Sequence, residues 1–335
     1  MNITVYLTLM MLIAFGATVL LLPYIIKREK NAGIVGIDVN KKDKPVVPRS
    51  GGLAAVAGYA IATFVLSELS RYYNLGLDLE ALLVSLSVMV FASFIGLIED
   101  LKGISRREKA IFVSWASLPI IITRLGNPEI STPLFTISFV TIPILYWYIL
   151  VPLGITGIAN AINMSAGYNG LESGEITIIG VFLLIIILLR DPTSPALIIL
   201  AGTIGCSLGL FVFNKYPSKV FIGDVGTLGL GSALGTAVII GNIEFLGVIC
   251  ILPTFYELFA TIYYGHIKKI ERRPACMNPI ILDDGRIKPP AGAEKYTLAY
   301  FILSKKPMKE PHLVIVLLSI YTLCGFVALG LSMIM

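Results

Sequence analysis

Two adjacent carboxylates, Glu99 and Asp100, end a long apolar run, and the basic residues Arg106, Arg107 and Lys109 follow shortly after them. Carboxylates at the C-terminal end of a helix oppose the helix dipole. Two such groups therefore need compensation, either from neighbouring cations or from a divalent metal ion. We take Glu99, Asp100 and Lys109 as candidate catalytic residues, with a surface cluster of ion pairs as the alternative.

Amide side chains form a second group. Asn160 and Asn163 are spaced i and i+3, which places them on one face of a helix. Asn169, Gly170 and Glu172 follow in a segment that has no basic residue. Amide oxygens suit hard cations such as Mg²⁺, and amides also recognise nucleobases and sugars. Hydrogen bonding between helices is the alternative.

Asp224 follows Gly223 at the start of another apolar run. It could cap the helix that begins there, or it could bind a metal ion. Mg²⁺ is usually held by one or two protein carboxylates together with substrate phosphates. Asp224 with either Asn163 or Asp100 would therefore be sufficient for a magnesium site.

A third group lies near the N-terminus, where Asp38 and Lys42 precede Gly51 and Gly52 at the mouth of a further apolar run. Two glycines at a helix start leave backbone N–H groups open to an anion. We interpret all four as candidate substrate-binding residues. The alternative is a basic anchor loop whose glycines permit close helix packing.

The elements that must position these residues are membrane helices. The chain is 56% hydrophobic and 14% charged, with a mean hydropathy of +0.86, which excludes a water-soluble globule. The sequence predicts a single domain over 1–335 with an all-α polytopic fold of about ten transmembrane helices. The predicted spans are 3–26, 53–70, 81–98, 110–125, 134–153, 175–190, 195–213, 225–241, 243–265 and 312–334.

The basic residues indicate the orientation. Of the 26 lysines and arginines, 23 fall in the odd-numbered connections between these spans. Because basic residues are retained on the cytoplasmic side, these loops are predicted to be cytoplasmic and both termini to lie on the outer side. The net charge of +5 then needs no nucleic-acid partner. Every candidate residue named above lies at this predicted cytoplasmic rim.

The last cytoplasmic loop, 266–310, is the one extended polar segment, and the turn at Asp284 and Gly285 predicts a small β-hairpin within it. Other chemistries are poorly represented. Neither histidine lies near a serine or cysteine nucleophile, and the four cysteines are scattered. The rim instead offers carboxylates, amides and cations suited to metal-assisted phosphoryl transfer.

At these residues the sequence resembles the polyprenyl-phosphate N-acetylhexosamine-1-phosphate transferase family. The likeness is specific over the tracts Asn160 to Glu172 and Asn214 to Asp224, and it is nearest the eukaryotic and archaeal branch that makes dolichyl-diphosphate N-acetylglucosamine. The resemblance implies that Asn163 and Asp224 hold Mg²⁺, with Mn²⁺ as an alternative. It also implies roles for four further residues: Lys109 contacts the diphosphate, Asn169 the uridine, and Arg272 and Arg273 the N-acetylsugar. The family often has two aspartates at the acidic pair, so Asp100 is favoured over Glu99.

The implied reaction transfers N-acetylglucosamine-1-phosphate from UDP-N-acetylglucosamine to a polyprenyl (dolichyl) phosphate in the lipid bilayer. The products are UMP and a lipid-diphosphate-sugar, at the first step of lipid-linked glycan assembly. Another UDP-N-acetylhexosamine feeding a cell-envelope polymer is the alternative. A secondary transporter is the rival from a different class, with Glu257 as its one intramembrane candidate. The sequence leaves open whether the protein forms a homodimer.

Overall fold

The protein folds mainly as helices. The structure is a computed structural model that describes residues 3–335, apart from the side chains at positions 106, 107, 266 and 273. The helices are α1 (Ile3–Ala32), α2 (Gly52–Tyr73), α3 (Leu79–Lys102), α4 (Arg106–Trp115), α5 (Leu118–Thr123), α6 (Pro143–Leu145), α7 (Val151–Ser165), α8 (Leu171–Arg190), α9 (Ala196–Asn214), α10 (Gly223–Ile240), α11 (Glu244–Cys250), α12 (Thr254–Ala260), α13 (Arg273–Cys276), α14 (Leu298–Lys305) and α15 (Glu310–Ser332). Two π-helical segments, Tyr146–Leu150 and Thr261–Ile267, connect α6 to α7 and extend α12.

Within residues 3–335, eight helices are long and apolar enough to cross a membrane. One of them, Pro143–Ser165, is α6, the first π-helical segment and α7 taken together. The pair that begins with α11 and continues through α12 is bent by 79°, and it makes a ninth if counted as one span. The protein is thus a polytopic helical membrane protein.

The count of ten spans stays a prediction. The fourth predicted span, 110–125, is divided between α4 and α5, which are separated at Ala116 and Ser117. The basic residues in the first turns of α4 lower the hydropathy of this pair, and Pro119 in the first turn of α5 favours a new helix start.

Helix α10 lies at the centre of the bundle, where it packs against α3 and α7 and also touches α2, α8 and α9. Its residues from Val225 to Ile240 are all buried. Glycines make this packing possible, because a Cβ added at Gly231 would lie 2.8 Å from Ala159 Cα. Small residues at helix contacts are the usual solution in membranes. The close approach brings the ends of α3 and α7 beside the start of α10.

The described residues also form three two-stranded antiparallel sheets. They are β1 (Val35–Ile37) with β2 (Val46–Pro48), β3 (Glu129–Ser131) with β4 (Thr136–Ser138), and β5 (Ile280–Ile281) with β6 (Ile287–Lys288). Strands β5 and β6 flank the Asp284–Gly285 turn in the last loop. Ile287 and Tyr300 of this loop pack with Leu171 and Leu313 in a second, smaller hydrophobic cluster, which fixes the loop against α8 and α15.

One end of the bundle carries polar contacts between segments that are far apart in the chain. Glu29, near the end of α1, accepts a hydrogen bond from the Ser50 backbone N–H at 3.0 Å. Glu310, at the start of α15, accepts one from the Asn169 N–H at 2.8 Å. Helices α3 and α7 end here and α10 begins here, so we call this the polar end. Since α1 ends and α15 begins at the polar end, their other ends lie at the opposite end of the bundle.

The contact between α2 and α10 gives a first prediction. A Cβ at Gly52 would lie 2.2 Å from Gly226 Cα, and backbone atoms cannot easily move away. Gly52→Ala should therefore destabilise the protein by about 1–3 kcal/mol, the usual range for overpacking. Gly16→Ala in α1 is the matched control, because its added Cβ meets nothing within 4 Å. Thermal unfolding in detergent measures both, and equal unfolding midpoints for the two variants would contradict this packing.

Candidate active site

Polar side chains from three helices meet at the polar end, around the ammonium of Lys109. The Lys109 ammonium, from α4, donates to Asn163 Oδ1 of α7 at 3.0 Å and forms an ion pair with Asp224 Oδ2 of α10. Asn163 Nδ2 in turn donates to Thr227 Oγ1 at 2.8 Å, which orients the amide oxygen toward the lysine. The structure therefore brings three of the candidate residues together across long sequence separations.

The two carboxylates at the end of α3 have different surroundings. The Asp100 side chain is only 1% exposed, and its Oδ2 accepts a hydrogen bond from the Val225 N–H at 3.1 Å. Its Oδ1 lies 3.3 Å from Arg49 Nε in an ion pair. Glu99 Oε2 instead accepts from the Ile104 N–H at 2.9 Å and closes the turn between α3 and α4. Asp100 is thus the carboxylate that faces the start of α10.

The expected anion-binding role of Gly51 and Gly52 is not what the structure shows. The Gly51 N–H donates to the Phe221 carbonyl at 2.8 Å and the Gly52 N–H to the Ile222 carbonyl at 2.9 Å. Both donors are therefore used within the protein. The close approach of Gly52 to Gly226 favours the alternative interpretation, in which these glycines allow tight helix packing.

Asp38 and Asn169 belong to a second buried network. The Lys41 ammonium forms an ion pair with Asp38, donates to Asn169 Oδ1 at 2.8 Å and reaches Glu310 Oε2 at 3.2 Å. Asn169 Oδ1 also accepts from the Ser218 N–H at 2.8 Å, and its Nδ2 donates to Asp38 at 3.1 Å. The Asn169 amide is thus occupied in joining chain segments. Sequence reasoning missed Lys41, although its i+3 spacing from Asp38 was the available signal.

Four further candidates contact neither the Lys109 nor the Lys41 ammonium. Asn160 Nδ2 donates to the Thr156 carbonyl of its own helix at 2.9 Å. Glu172 accepts from the Gly167 N–H at 3.0 Å, and Gly170 is the N-cap residue of α8, with a positive φ of 86°. Lys42 is exposed and pairs with Asp283 of the last loop at 3.0 Å. These contacts shape the rim and connect it to the last loop.

Arg272 and Glu257 attach the last loop to the bundle. The Arg272 guanidinium donates to Thr261 Oγ1 and to the Tyr296 carbonyl, and it lies 3.8 Å from Glu257 Oε2. Glu257 Oε1 accepts from the Leu298 N–H at 2.7 Å. Glu257 therefore stabilises the loop, which does not favour the transporter alternative. The Arg273 side chain lies outside the described residues.

A small cavity of about 80 Å³ lies between this loop and the bundle. Tyr168, Glu257 and Tyr300 are among its lining residues. Burial raises the pKa of the Tyr300 phenol, so the hydroxyl stays protonated. It donates to the Ala275 carbonyl at 3.0 Å, which holds the segment after Arg272 in place.

The oxygen atoms around Lys109 fit a divalent cation. Asn163 Oδ1 and Asp224 Oδ2 already converge on one positive charge, and both are hard ligands of the kind that Mg²⁺ prefers. In the part of the chain that the structure describes, no group of three or more His, Cys, Asp and Glu side chains could hold a metal ion. A bound ion would therefore need oxygen atoms from substrate phosphates or water to complete its shell.

These observations define a helical membrane protein whose polar end gathers carboxylate, amide and ammonium groups of the kinds used in phosphoryl transfer. The family model described as "Glycosyl transferase family 4" matches residues 82–242. This range contains Asp100, Lys109, Asn163 and Asp224 and ends before the last loop.

Three relatives show how far the similarity extends. Proteins from Saccharolobus solfataricus and Sulfolobus acidocaldarius are provisionally named UDP-N-acetylglucosamine–dolichyl-phosphate N-acetylglucosaminephosphotransferases. The first is 29% identical over 83% of this chain and 88% of its own length, and the second 34% over 70% of each. A provisionally named glycosyltransferase from Methanocaldococcus jannaschii is 30% identical over 96% of both chains. The chain belongs to glycosyl transferase family 4, which confirms the resemblance.

The second network gives a prediction about stability. Lys41→Met would leave Asp38 and Glu310, whose side chains are 3% and 2% exposed, without their shared cation. Removing one partner of a buried ion pair typically costs about 3–5 kcal/mol. Lys42→Met is the matched control, because Lys42 and Asp283 form an exposed pair that contributes little. Chemical unfolding in mild detergent measures both variants. A Lys41→Met protein as stable as Lys42→Met would contradict the buried network.

Proposed function

We propose that this protein transfers N-acetylglucosamine-1-phosphate from UDP-N-acetylglucosamine to a polyprenyl phosphate of the dolichyl type, giving a lipid-diphosphate-sugar and UMP. The observation that carries the proposal is the convergence of Lys109, Asn163 and Asp224 at the polar end of a membrane bundle. The names of the archaeal relatives support the choice of both substrates.

The chemistry requires one bond to form and one to break. An oxygen of the acceptor phosphate forms a bond to the sugar-linked phosphorus, while the bond from that phosphorus to the oxygen of the uridylyl phosphate breaks. UMP leaves with the bonding electron pair. A phosphate dianion needs no general base, so catalysis rests on positioning and on stabilising the developing negative charge. The Lys109 ammonium, only 12% exposed, supplies a positive charge for this purpose in a poorly solvated site.

Mg²⁺ would be held by Asn163 Oδ1 and Asp224 Oδ2, with Mn²⁺ as an alternative. When bound, the ion would neutralise the charge of the diphosphate and act as a Lewis acid. Lys109 contacts both Asn163 and Asp224, so its ammonium would lie beside the ion and the diphosphate. Asp100 accepts a hydrogen bond from the N–H of Val225, the residue that follows Asp224, so Asp100 would help to position Asp224.

The orientation and the loop follow from the same proposal. The polar end would face the cytoplasm, because the basic residues concentrate in its loops, and the termini would face the outer side. The last loop, 266–310, would recognise the sugar, because Arg272 holds it against the bundle beside the cavity. The product would begin lipid-linked glycan assembly. A different UDP-N-acetylhexosamine would use the same chemistry.

Turnover of the purified protein tests the proposal. With UDP-N-acetylglucosamine, farnesyl phosphate and Mg²⁺, the protein should release UMP and form a lipid-linked sugar. Asp224→Asn and Lys109→Met should each lower kcat about 100-fold or more, the range seen when one preorganised charge-stabilising group is lost.

Asp78→Asn is the matched control for this experiment. Asp78 caps the start of α3 at the other end of the bundle by accepting from the Ala81 N–H at 2.9 Å, and asparagine caps equally well. This variant should keep wild-type turnover. If Asp224→Asn and Lys109→Met retain wild-type kcat, the site assignment is wrong. If the wild-type protein releases no UMP, the function itself is wrong.

A further inference from the structure

Thr227 lies one turn into α10, three residues after Asp224, and its side chain is buried. Residues three apart share one face of a helix, so its hydroxyl lies on the same side of α10 as the carboxylate. Thr227 Oγ1 accepts a hydrogen bond from Asn163 Nδ2 at 2.8 Å. Thr227 therefore contacts one of the two side chains proposed to hold the cation and follows the other on its helix.

The hydroxyl hydrogen of Thr227 is directed at the backbone. A threonine hydroxyl has one hydrogen to donate and two lone pairs that accept. Oγ1 lies 3.3 Å from the Asp224 carbonyl oxygen and 3.4 Å from the Gly223 carbonyl oxygen, and a carbonyl can only accept. The lone pairs are thus left for Asn163, whose amide presents its NH₂ group to them. Asn163 Oδ1 is thereby turned the other way, toward the Lys109 ammonium.

The two ends of an asparagine amide have similar sizes and opposite functions. The oxygen can bind a cation, whereas the NH₂ group can only donate hydrogen bonds, and half a turn about the last side-chain bond exchanges them. Among the side chains that the structure describes, Lys109 and Thr227 are the two that form hydrogen bonds with the Asn163 amide. Lys109 is proposed to contact the diphosphate as well, so its contact with the amide would change when substrate binds. The buried Thr227 provides the contact that does not depend on the ligand.

The packing of α7 against α10 holds this pair in register. The two helices run antiparallel, since α7 ends and α10 begins at the polar end. One turn further into the bundle than the pair, a Cβ added at Gly231 would lie 2.8 Å from Ala159 Cα. After one more turn, a Cβ added at Gly235 would lie 3.0 Å from Ile155 Cα. Helix backbones this close cannot slide past each other without a clash, so the threonine stays opposite the asparagine.

We infer that Thr227 is a positioning residue for the cation site, because it fixes the Asn163 amide with Oδ1 facing the divalent ion. This inference rests on the proposed function, to which it adds the group that makes Asn163 a ligand. Partners that hold a ligand from the side away from the metal typically change metal affinity or activity about 10- to 100-fold when they are removed.

Manganese binding without turnover tests the inference. Binding of Mn²⁺ to the purified protein in detergent is measured by EPR with UDP-N-acetylglucosamine and no polyprenyl phosphate, and the nucleotide alone is the blank. Thr227→Val has nearly the same shape but lacks the acceptor, so its apparent Kd for Mn²⁺ should rise about tenfold. Thr227→Ala, which lacks the acceptor and adds no atom, should show the same loss. Thr227→Ser retains the hydroxyl and should bind Mn²⁺ like the wild type.

Thr236→Val is the matched control. Thr236 is fully buried near the other end of α10, and its hydroxyl donates to the Ser232 carbonyl of its own helix at 2.9 Å. The same substitution there removes a buried hydroxyl away from the polar end and should leave Mn²⁺ affinity unchanged. Equal losses in Thr236→Val and Thr227→Val would overturn the inference, because they would reflect the packing of α10. Wild-type affinity in Thr227→Val, or equal losses in Thr227→Val and Thr227→Ser, would also overturn it.

Kinetics separate this inference from the proposed function. In Thr227→Val the Mn²⁺ concentration that gives half-maximal turnover should rise about tenfold, and kcat should recover at saturating Mn²⁺. Turnover of Thr227→Val with the Mn²⁺ requirement of the wild type would refute the inference and keep the function. Mn²⁺ binding that depends on Thr227, in a protein whose wild type releases no UMP, would refute the function and keep the positioning role.

Discussion

The charge of Lys109 is the interaction on which the polar end depends. Its ammonium is largely removed from water, and it is stable there because Asp224 and the Asn163 oxygen surround it. An ammonium in this position fixes the ends of α4, α7 and α10 relative to one another. It also leaves the oxygen atoms of two helices directed at one point, which is the requirement for binding a diphosphate with a divalent cation.

The geometry of that point is set within the apolar part of the bundle. Helix α10 is buried along its length, and its glycines let α3 and α7 approach to backbone contact. Gly96 of α3 contributes in the same way, since a Cβ there would lie 2.3 Å from the Asp224 carbonyl oxygen. Rigid helices packed this closely can place Asp100 and Asp224 side by side, whereas flexible loops would have to order them on binding.

Much of this could be predicted from the sequence, because apolar runs and the positions of lysine and arginine are properties of the chain itself. They indicated a polytopic membrane protein, and they grouped Lys109, Asn163 and Asp224 at one end of the bundle. The sidedness of that end and the catalytic roles stay predictions, supported by charge and by geometry.

The features that sequence reasoning missed depend on contacts between distant segments. A Gly-Gly pair fits an anion site and a helix contact equally well, and only the position of Gly226 decides between them. Asn169 looked like a substrate ligand, yet its amide is occupied by Lys41, Asp38 and Ser218. The ion pair of Arg49 with Asp100 carried no local signal, because the two residues lie in distant segments of the chain. The broken span at 110–125 likewise reflects local charge and proline, which a hydrophobicity window averages away.

The central claim is that Asn163 and Asp224 form one cation site with Lys109 beside it. The most direct measurement is an anomalous difference map from crystals grown with UDP-N-acetylglucosamine and Mn²⁺. The account predicts a peak at about 2 Å from both Asn163 Oδ1 and Asp224 Oδ2, with the Lys109 ammonium next to the diphosphate. A manganese peak that touches neither residue would contradict it.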